Sequence, residues 1–298
     1  RYNLSDQNID AIVFYEKPLR GWAKRVHHSL KSPIKSFSLL SHQLKQFWNG
    51  PINFASELRK LINLKEKKIF YSPHHLSHAL SAISFAPKSL LNMKILHFVF
   101  DGVGDDDCHS VFLTSGTLIS KLFEEKYPNS IGLFYSTITD FCGFLVNEGE
   151  YKLMALSAYG KPVFKDIMLK EILCADGHRI SMDMSWFDLD KTPERSFSKK
   201  FINYFGKPIK ISNISSPSDV EFIRAANLAK SAQSAVEEVL TQVIKWATNH
   251  NPHDAITISG GVAQNSLAMQ RMAKIPSLKK KTIIIPPSPG DSGAAIGA

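Results

Sequence analysis

A chain of 298 residues with 44% hydrophobic and 21% charged residues has an ordinary globular make-up and room for one large domain or two lobes. Its longest apolar run, Ile95 to Phe100, is broken by His97 and too short to cross a bilayer, and no secretory leader opens the chain. No membrane span is therefore expected, and the expected compartment is the cytoplasm. The net charge of +9 is scattered, with small knots at Lys65–Lys68 and Lys279–Lys281 and no basic stripe interleaved with aromatics. That argues against nucleic acid and for a mild bias toward anionic substrates.

In chain order, Ala11–Tyr15 (AIVFY) is a short apolar run of buried-strand type, and Arg20 to Asn63 is basic and mostly helical in pattern. Lys68–Tyr71 is expected as a second strand. His74–Phe85 follows as a helix behind Pro73, where proline is tolerated. Lys94–Asp101 and His109–Thr114 read as a strand pair joined by the loop DGVGDDD. Ser130–Phe144 and Tyr151–Tyr159 read as helices split by a turn at Asn147–Gly149. The stretch from Pro162 to Pro217 is irregular, rich in aromatics, Ser and Lys, and is expected as an insertion or lid. Asp219–Asn249 has the apolar spacing of a long amphipathic helix. The end alternates: strand Ala255–Ser259, turn Gly260-Gly261, helix Ala263–Met272, strand Thr282–Pro286, then a loop and a helix start. Strands mixed with helices across Gly-rich turns predict the α/β class. The chain opens on Arg1 and stops at Gly297-Ala298 inside that starting helix, so a fragment is expected.

The string HHLSH places His74 and His78 four apart, on one face if the segment is helical, so both can reach one metal while His75 points elsewhere. A pair of capping or surface histidines is the plainer explanation, and a metal needs carboxylates from other segments. Asp101 ends an apolar strand, where α/β proteins place their ligands. Asp291 stands at the head of a small-residue helix in PPSPGDSGAAIG, a place that also suits an ordinary cap. Mixed His/Asp coordination with open positions favours divalent iron, manganese or zinc over calcium. The three cysteines, Cys108, Cys142 and Cys174, have no metal-type spacing and predict neither a disulfide framework nor a zinc ribbon.

Gly260 and Gly261 follow a strand and open a helix, so their backbone can approach a phosphate closely, or they form only a tight turn. Asn265 can hydrogen-bond a ribose or a carbonyl. In NEGEYK, Glu150 can accept from ribose hydroxyls and Lys152 can pair with phosphate, or the segment is simply a capped helix.

The strings HHLSHALSAISFAP, FVFDGVGD, SIGLFYSTITDFCGFLVNEGEYKLMALSAYGKP, ISGGVAQNSLAMQ and IPPSPGDSGAAIGA, in that order, resemble the successive motifs of the NodU/CmcH carbamoyltransferase family. The likeness runs from about Ala11 to Ala298 and is weakest over Arg20–Asn63 and Pro162–Pro217. It implies an actin-like ATPase (ASKHA) fold related to TsaD: two lobes of mixed sheet with flanking helices, here without the opening N-terminal strands. The implied reaction has two steps. A YrdC-like C-terminal domain, absent from this chain, makes carbamoyl-adenylate from ATP and carbamoyl phosphate. The actin-like domain then passes the carbamoyl group to a hydroxyl of a sugar or natural-product acceptor. On this resemblance His74, His78, Asp101 and Asp291 are the metal ligands, with iron the expected metal and His74, His78 and Asp101 at the catalytic centre. Glu150, Lys152, Gly260, Gly261 and Asn265 fall where the adenylate binds. Three other readings stand beside it. A TsaD-like tRNA threonylcarbamoyltransferase would share the histidine pair but not GEYKLMALSAYGKP. A sugar-kinase-like ATPase would need no histidine pair. A non-catalytic remnant would keep the motifs only as scaffold.

Overall fold

The computed structural model describes residues 9–17, 68–192 and 195–298, with isolated positions between 18 and 67. The helical expectation for Arg20–Asn63 lies almost wholly outside the described residues. Strands β1 (Ala11–Phe14) and β2 (Lys68–Tyr71) pair in parallel, and β2 leads through Pro73 into helix α1 (His74–Ser84). Three antiparallel strands follow: β3 (Lys94–Gly104), β4 (Asp107–Ser115) and β5 (Leu118–Lys126). Next come helices α2 (Ile131–Phe141) and α3 (Glu150–Leu156), the hairpin β6 (Leu173–Asp176) and β7 (Arg179–Met182), and helices α4 (Lys199–Phe205) and α5 (Val220–His250). The chain closes with β8 (Ala255–Ser259), α6 (Ser266–Ala273), β9 (Thr282–Ile284) and α7 (Asp291–Gly297). Among the described residues no helix is long and apolar enough to cross a membrane.

The main sheet has the order β5-β4-β3-β8-β9, with β8 and β9 parallel to β3. Side chains alternate across a strand, so its two faces carry different chemistry. Leu96, Phe98 and Phe100 of β3, with Ile256 and Ile258 of β8, point into an apolar core closed by α2 and α5. The opposite face carries His97, Val99 and Asp101 of β3, opposite Phe112 and Ser110 of β4 and Thr257 and Ser259 of β8. Helix α1 lies across that second face and α7 packs on α1. There a buried His97 bonds Thr257 Oγ1 at 2.8 Å and Thr114 Oγ1 at 2.9 Å. One face is thus an oily core, the other a polar seam under a helix.

Three expectations differ from what is observed. The stretch Pro162–Pro217 is no lid: Trp186, Phe187, Phe201 and Phe205 are buried in the main core, and Phe197 and Phe201 pack their rings on Phe141 of α2. Aromatic area of that size is worth more against the core than over solvent. The DGVGDDD loop is mostly strand, because β3 runs to Gly104 and β4 starts at Asp107, leaving Asp105-Asp106 as the hairpin tip. Helix α6 starts at Ser266 rather than Ala263, since Asn265 accepts from the Ala268 N–H at 3.0 Å and so caps it. A single 3-10 turn fills the interval Gly261–Gln264.

Candidate metal centre

The i, i+4 pair behaves as its spacing requires. His74 and His78 share one face of α1, and both are buried against the polar side of the sheet. Asp101 comes up from near the carboxyl end of β3, and Asp291 from the first residue of α7. His74 Nε2 lies 3.0 Å from His78 Nε2 and 2.9 Å from Asp101 Oδ2. Asp291 Oδ1 stands 3.5 Å from His74 Nε2 and 3.4 Å from His78 Nε2, and Asp101 Oδ2 is 3.5 Å from His78 Nε2. The Asp101 side chain is 12% exposed and that of Asp291 57%, so the cluster is open on the Asp291 side. Among the described residues it is the one group of three or more His, Cys, Asp or Glu side chains whose ligand atoms converge in this way, all within 4.8 Å of one another.

The donor set fits a first-row divalent cation. Bonds of about 2.1 Å to nitrogen and oxygen set neighbouring ligand atoms about 3.0–3.4 Å apart, close to the separations above. The charges agree. Burial opposes an imidazolium at His74, but hydrogen bonds to Asp101 and then Asp291 outweigh it and carry His74 up to about 10. His78 is raised by the same partners against the same burial. Asp291 falls to about 2, chiefly through hydrogen bonds to His74 and His78. Asp101 falls well below the carboxylate range, its bonds to His74 and His78 overcoming its burial. Two carboxylates here demand positive charge, and a divalent ion supplies it while leaving both Nε2 lone pairs as ligands.

The side chains around the cluster have partners of their own. His75 turns away and bonds Ser110 Oγ at 2.8 Å. Asp107 pairs with Lys121 and Lys126 of β5. Asp105, at φ +57°, reaches across to α1. Gly104 forms a floor under the His74 ring, since a Cβ built there would fall 2.0 Å from His74 Cδ2. Neither Nδ1 of His74 nor that of His78 has a hydrogen-bond partner among the described residues, so beyond the Nε2 contacts ring orientation rests on packing. Gly104→Ala is therefore expected to tilt the His74 ring and weaken divalent-metal binding by about 10–100-fold, the usual cost of disturbing a ligand's support. A Co2+ titration of the variant checks this; an unchanged affinity would show that the floor is not needed.

The residues expected at the adenylate divide into three groups. Gly261 touches the metal centre: its N–H donates to Asp101 Oδ1 at 3.1 Å. Gly260, at φ +90°, lies so close to β3 that a Cβ would meet the Phe100 carbonyl oxygen at 2.2 Å, and its N–H donates to Pro289 O at 2.8 Å. Both glycine N–H groups are thus engaged within the protein. Asn265 and Glu150 belong to a neighbouring polar strip. Asn265 exchanges hydrogen bonds with Gln233 of α5 at 2.9 and 3.0 Å, and Gln233 accepts from Tyr135 at 2.9 Å. Glu150 accepts from Ser136 Oγ at 2.8 Å, next to Tyr135, and from the Asn147 N–H at 3.0 Å. Lys152 stands apart and exposed, with its Nζ 5.6 Å from the centre of the Tyr151 ring.

Two residues near the centre were not singled out from the sequence. Tyr15 has its ring 5.5 Å from that of His74, and its phenol is pushed up by burial and then by Asp291. Its signal was available, because it directly follows the carboxyl end of β1, as Asp101 lies near that of β3. Asp105 had no such signal.

A His/Asp cluster at the carboxyl edge of a mixed α/β sheet, bonded through one carboxylate to a Gly-Gly turn, has the make-up of a candidate metal site beside a strand-to-helix turn. The chain belongs to the carbamoyltransferase N-terminus family, whose description matches residues 1–298. An uncharacterized protein of Synechocystis sp. is 31% identical over 99% of this chain and 47% of its own length. The nodulation protein NolNO of Sinorhizobium fredii is 27% identical over 78% of this chain and 31% of its own length. The chain thus spans about half, or less, of the curated relatives it matches. A crystal structure of HypF from T. kodakarensis aligns over 82% of this chain and 38% of its own, with 14% identity and a TM-score of 0.44.

Proposed function

We propose that this chain is the transferase domain of an O-carbamoyltransferase, acting on carbamoyl-adenylate made from ATP and carbamoyl phosphate and on a hydroxyl-bearing sugar or natural product. The observation that carries the reading is the convergence of His74, His78, Asp101 and Asp291 beside the Gly260-Gly261 turn, in a family described as carbamoyltransferases. His74, His78, Asp101 and Asp291 would hold a divalent metal there, iron being the choice we favour, and it would supply Lewis acidity. The protein's own part is placement. Asp101 joins the ligand cluster to the turn, so the position of the cluster is fixed relative to the strand-to-helix turn. The open Asp291 side admits the acceptor, and Glu150 and Asn265 on the polar strip suit the ribose. In the transfer, the acceptor oxygen bonds to the carbamoyl carbon as the bond from that carbon to phosphate oxygen breaks. The products are a carbamate ester, AMP and one proton.

The antiparallel meander β3–β5 continued by two parallel strands supports the actin-like reading of this lobe. The relatives extend well beyond the region this chain matches, which leaves room for a further domain, YrdC-like in this reading, as the source of the adenylate. A sugar-kinase reading leaves the histidine pair without a task. The test uses the full-length protein with ATP, carbamoyl phosphate and a panel of hydroxylated acceptors. AMP, pyrophosphate, inorganic phosphate from carbamoyl phosphate and an acceptor heavier by one carbamoyl group are expected, all lost on chelation and restored by metal. Metal-loaded protein that consumes no carbamoyl phosphate with any acceptor would overturn the assignment.

A further inference from the structure

We propose that Asp105 is a positioning residue of the metal centre, its carboxylate fastening the first turn of α1 and the segment after β1 to the β3–β4 hairpin. Helix α1 begins behind Pro73, which offers no side-chain hydrogen bond to the free N–H groups of the first turn. Asp105 supplies one from a distance of 31 residues: its Oδ2 accepts from the His74 N–H at 3.0 Å in a buried contact. Its Oδ1 accepts from the Lys17 N–H at 2.7 Å. One carboxylate, 7% exposed, thus ties together the backbone of a metal ligand, the strand-following segment that carries Tyr15, and the hairpin whose Gly104 supports the His74 ring. The tip is bent to permit this, for Asp105 holds φ at +57°, a conformation few residues other than Gly, Asn and Asp accept. Asp105 is not among the side chains that converge with His74 and His78. It acts by holding His74, and through His74 the spacing of both Nε2 atoms. The inference rests on the metal reading of the cluster, and its test separates the two.

Asp105→Gly is the informative variant, because glycine is at ease at that φ, so the turn is kept and only the carboxylate is lost. In the full-length protein, Co2+ titration followed by visible absorption is expected to give about 10–100-fold weaker binding and an altered ligand-field spectrum. Hydrogen exchange of the metal-free protein is expected to quicken over the start of α1. Asp105→Asn keeps one acceptor oxygen and is expected to fall between; it carries both readouts if the glycine variant does not fold. Leu113→Ala, packed against the core on the other side of the same sheet, is expected to lower the melting temperature and leave Co2+ affinity unchanged. Wild-type affinity, spectrum and exchange in Asp105→Gly would overturn the proposal, as would an equal affinity loss in Leu113→Ala. If the wild-type protein itself takes up no Co2+, the metal reading fails instead, and unaltered exchange at α1 would then dismiss Asp105 as well.

Discussion

Asp101→Ala is expected to abolish divalent-metal binding and to destabilise the chain by about 3–5 kcal/mol, the range for removing one partner of a buried ionic cluster. Both oxygens of this side chain are engaged. Oδ2 faces His74 and His78, while Oδ1 accepts from the N–H groups of Gly102 at 2.8 Å and Gly261 at 3.1 Å. Alanine leaves two backbone donors and two charge-seeking imidazoles without their partner, in a site too buried for water to replace it fully. Asp101→Asn separates the two roles. Its amide oxygen can still accept from Gly261, so stability should recover in part, while the lost charge keeps metal affinity low. Metal content after dialysis and denaturant melts of the three proteins measure this. Full metal occupancy in Asp101→Ala would remove Asp101 from the ligand set.

Acid should weaken the fold well before its carboxylates titrate. His97 and His109 are buried in the sheet, and burial pushes each down from 6.5 to about 3. His97 is held neutral between two threonines, and His109 is stacked on Phe100 at 4.6 Å. Below pH 6.5 the unfolded chain binds protons that the folded chain refuses, so stability falls as pH drops from 6.5 toward 3. At pH 5 each histidine accounts for about 2 kcal/mol, or about 4 kcal/mol together. His74 and His78, raised in the fold, are protonated in both states below 6.5 and add no slope in this window; their contribution is lost only as pH rises through the raised values. Urea melts between pH 7 and pH 5 should show the loss. His97→Gln should flatten the slope by about 1.4 kcal/mol per pH unit, whatever it does to stability at neutrality. An unchanged slope would mean that His97 takes up its proton in the folded state.

What the sequence revealed depended on whether the signal was local. Strands β3 and β8 were legible because Ile95–Phe100 and Ala255–Ser259 are apolar runs of strand length. The convergence of His74, His78, Asp101 and Asp291 was legible because the histidines repeat at a helical interval, and because strand and helix ends are where ligating carboxylates gather. Strand β5 was not read, since Leu118–Lys126 interrupts its apolar residues with Lys121, Glu124 and Glu125 at the sheet edge. Phe201 and Phe205 repeat at a helical interval on α4, a helix of only 7 residues, whereas Trp186 and Phe187 fill a hollow of the core shaped by other elements. Asp105 was invisible for the same reason: its partners, His74 and Lys17, lie 31 and 88 residues away. Glu150 and Asn265 could be named from the sequence but not their partners: Asn265 caps α6, while Glu150 closes the turn before α3 by accepting from the Asn147 N–H.

The alternation along β3 has a consequence for how this protein can change over time. Phe100 and Asp101 are adjacent, yet one seals the apolar interior and the other anchors the ligand cluster. Substitutions along the strand can be absorbed one at a time. Losing or gaining a single residue between Lys94 and Asp101 cannot, because every side chain beyond it would exchange sides, sending a carboxylate into oil and a phenyl ring among the histidines. Any lineage that keeps the interior must therefore keep the count of residues leading to Asp101, so the chemistry and the architecture are inherited as one length of chain.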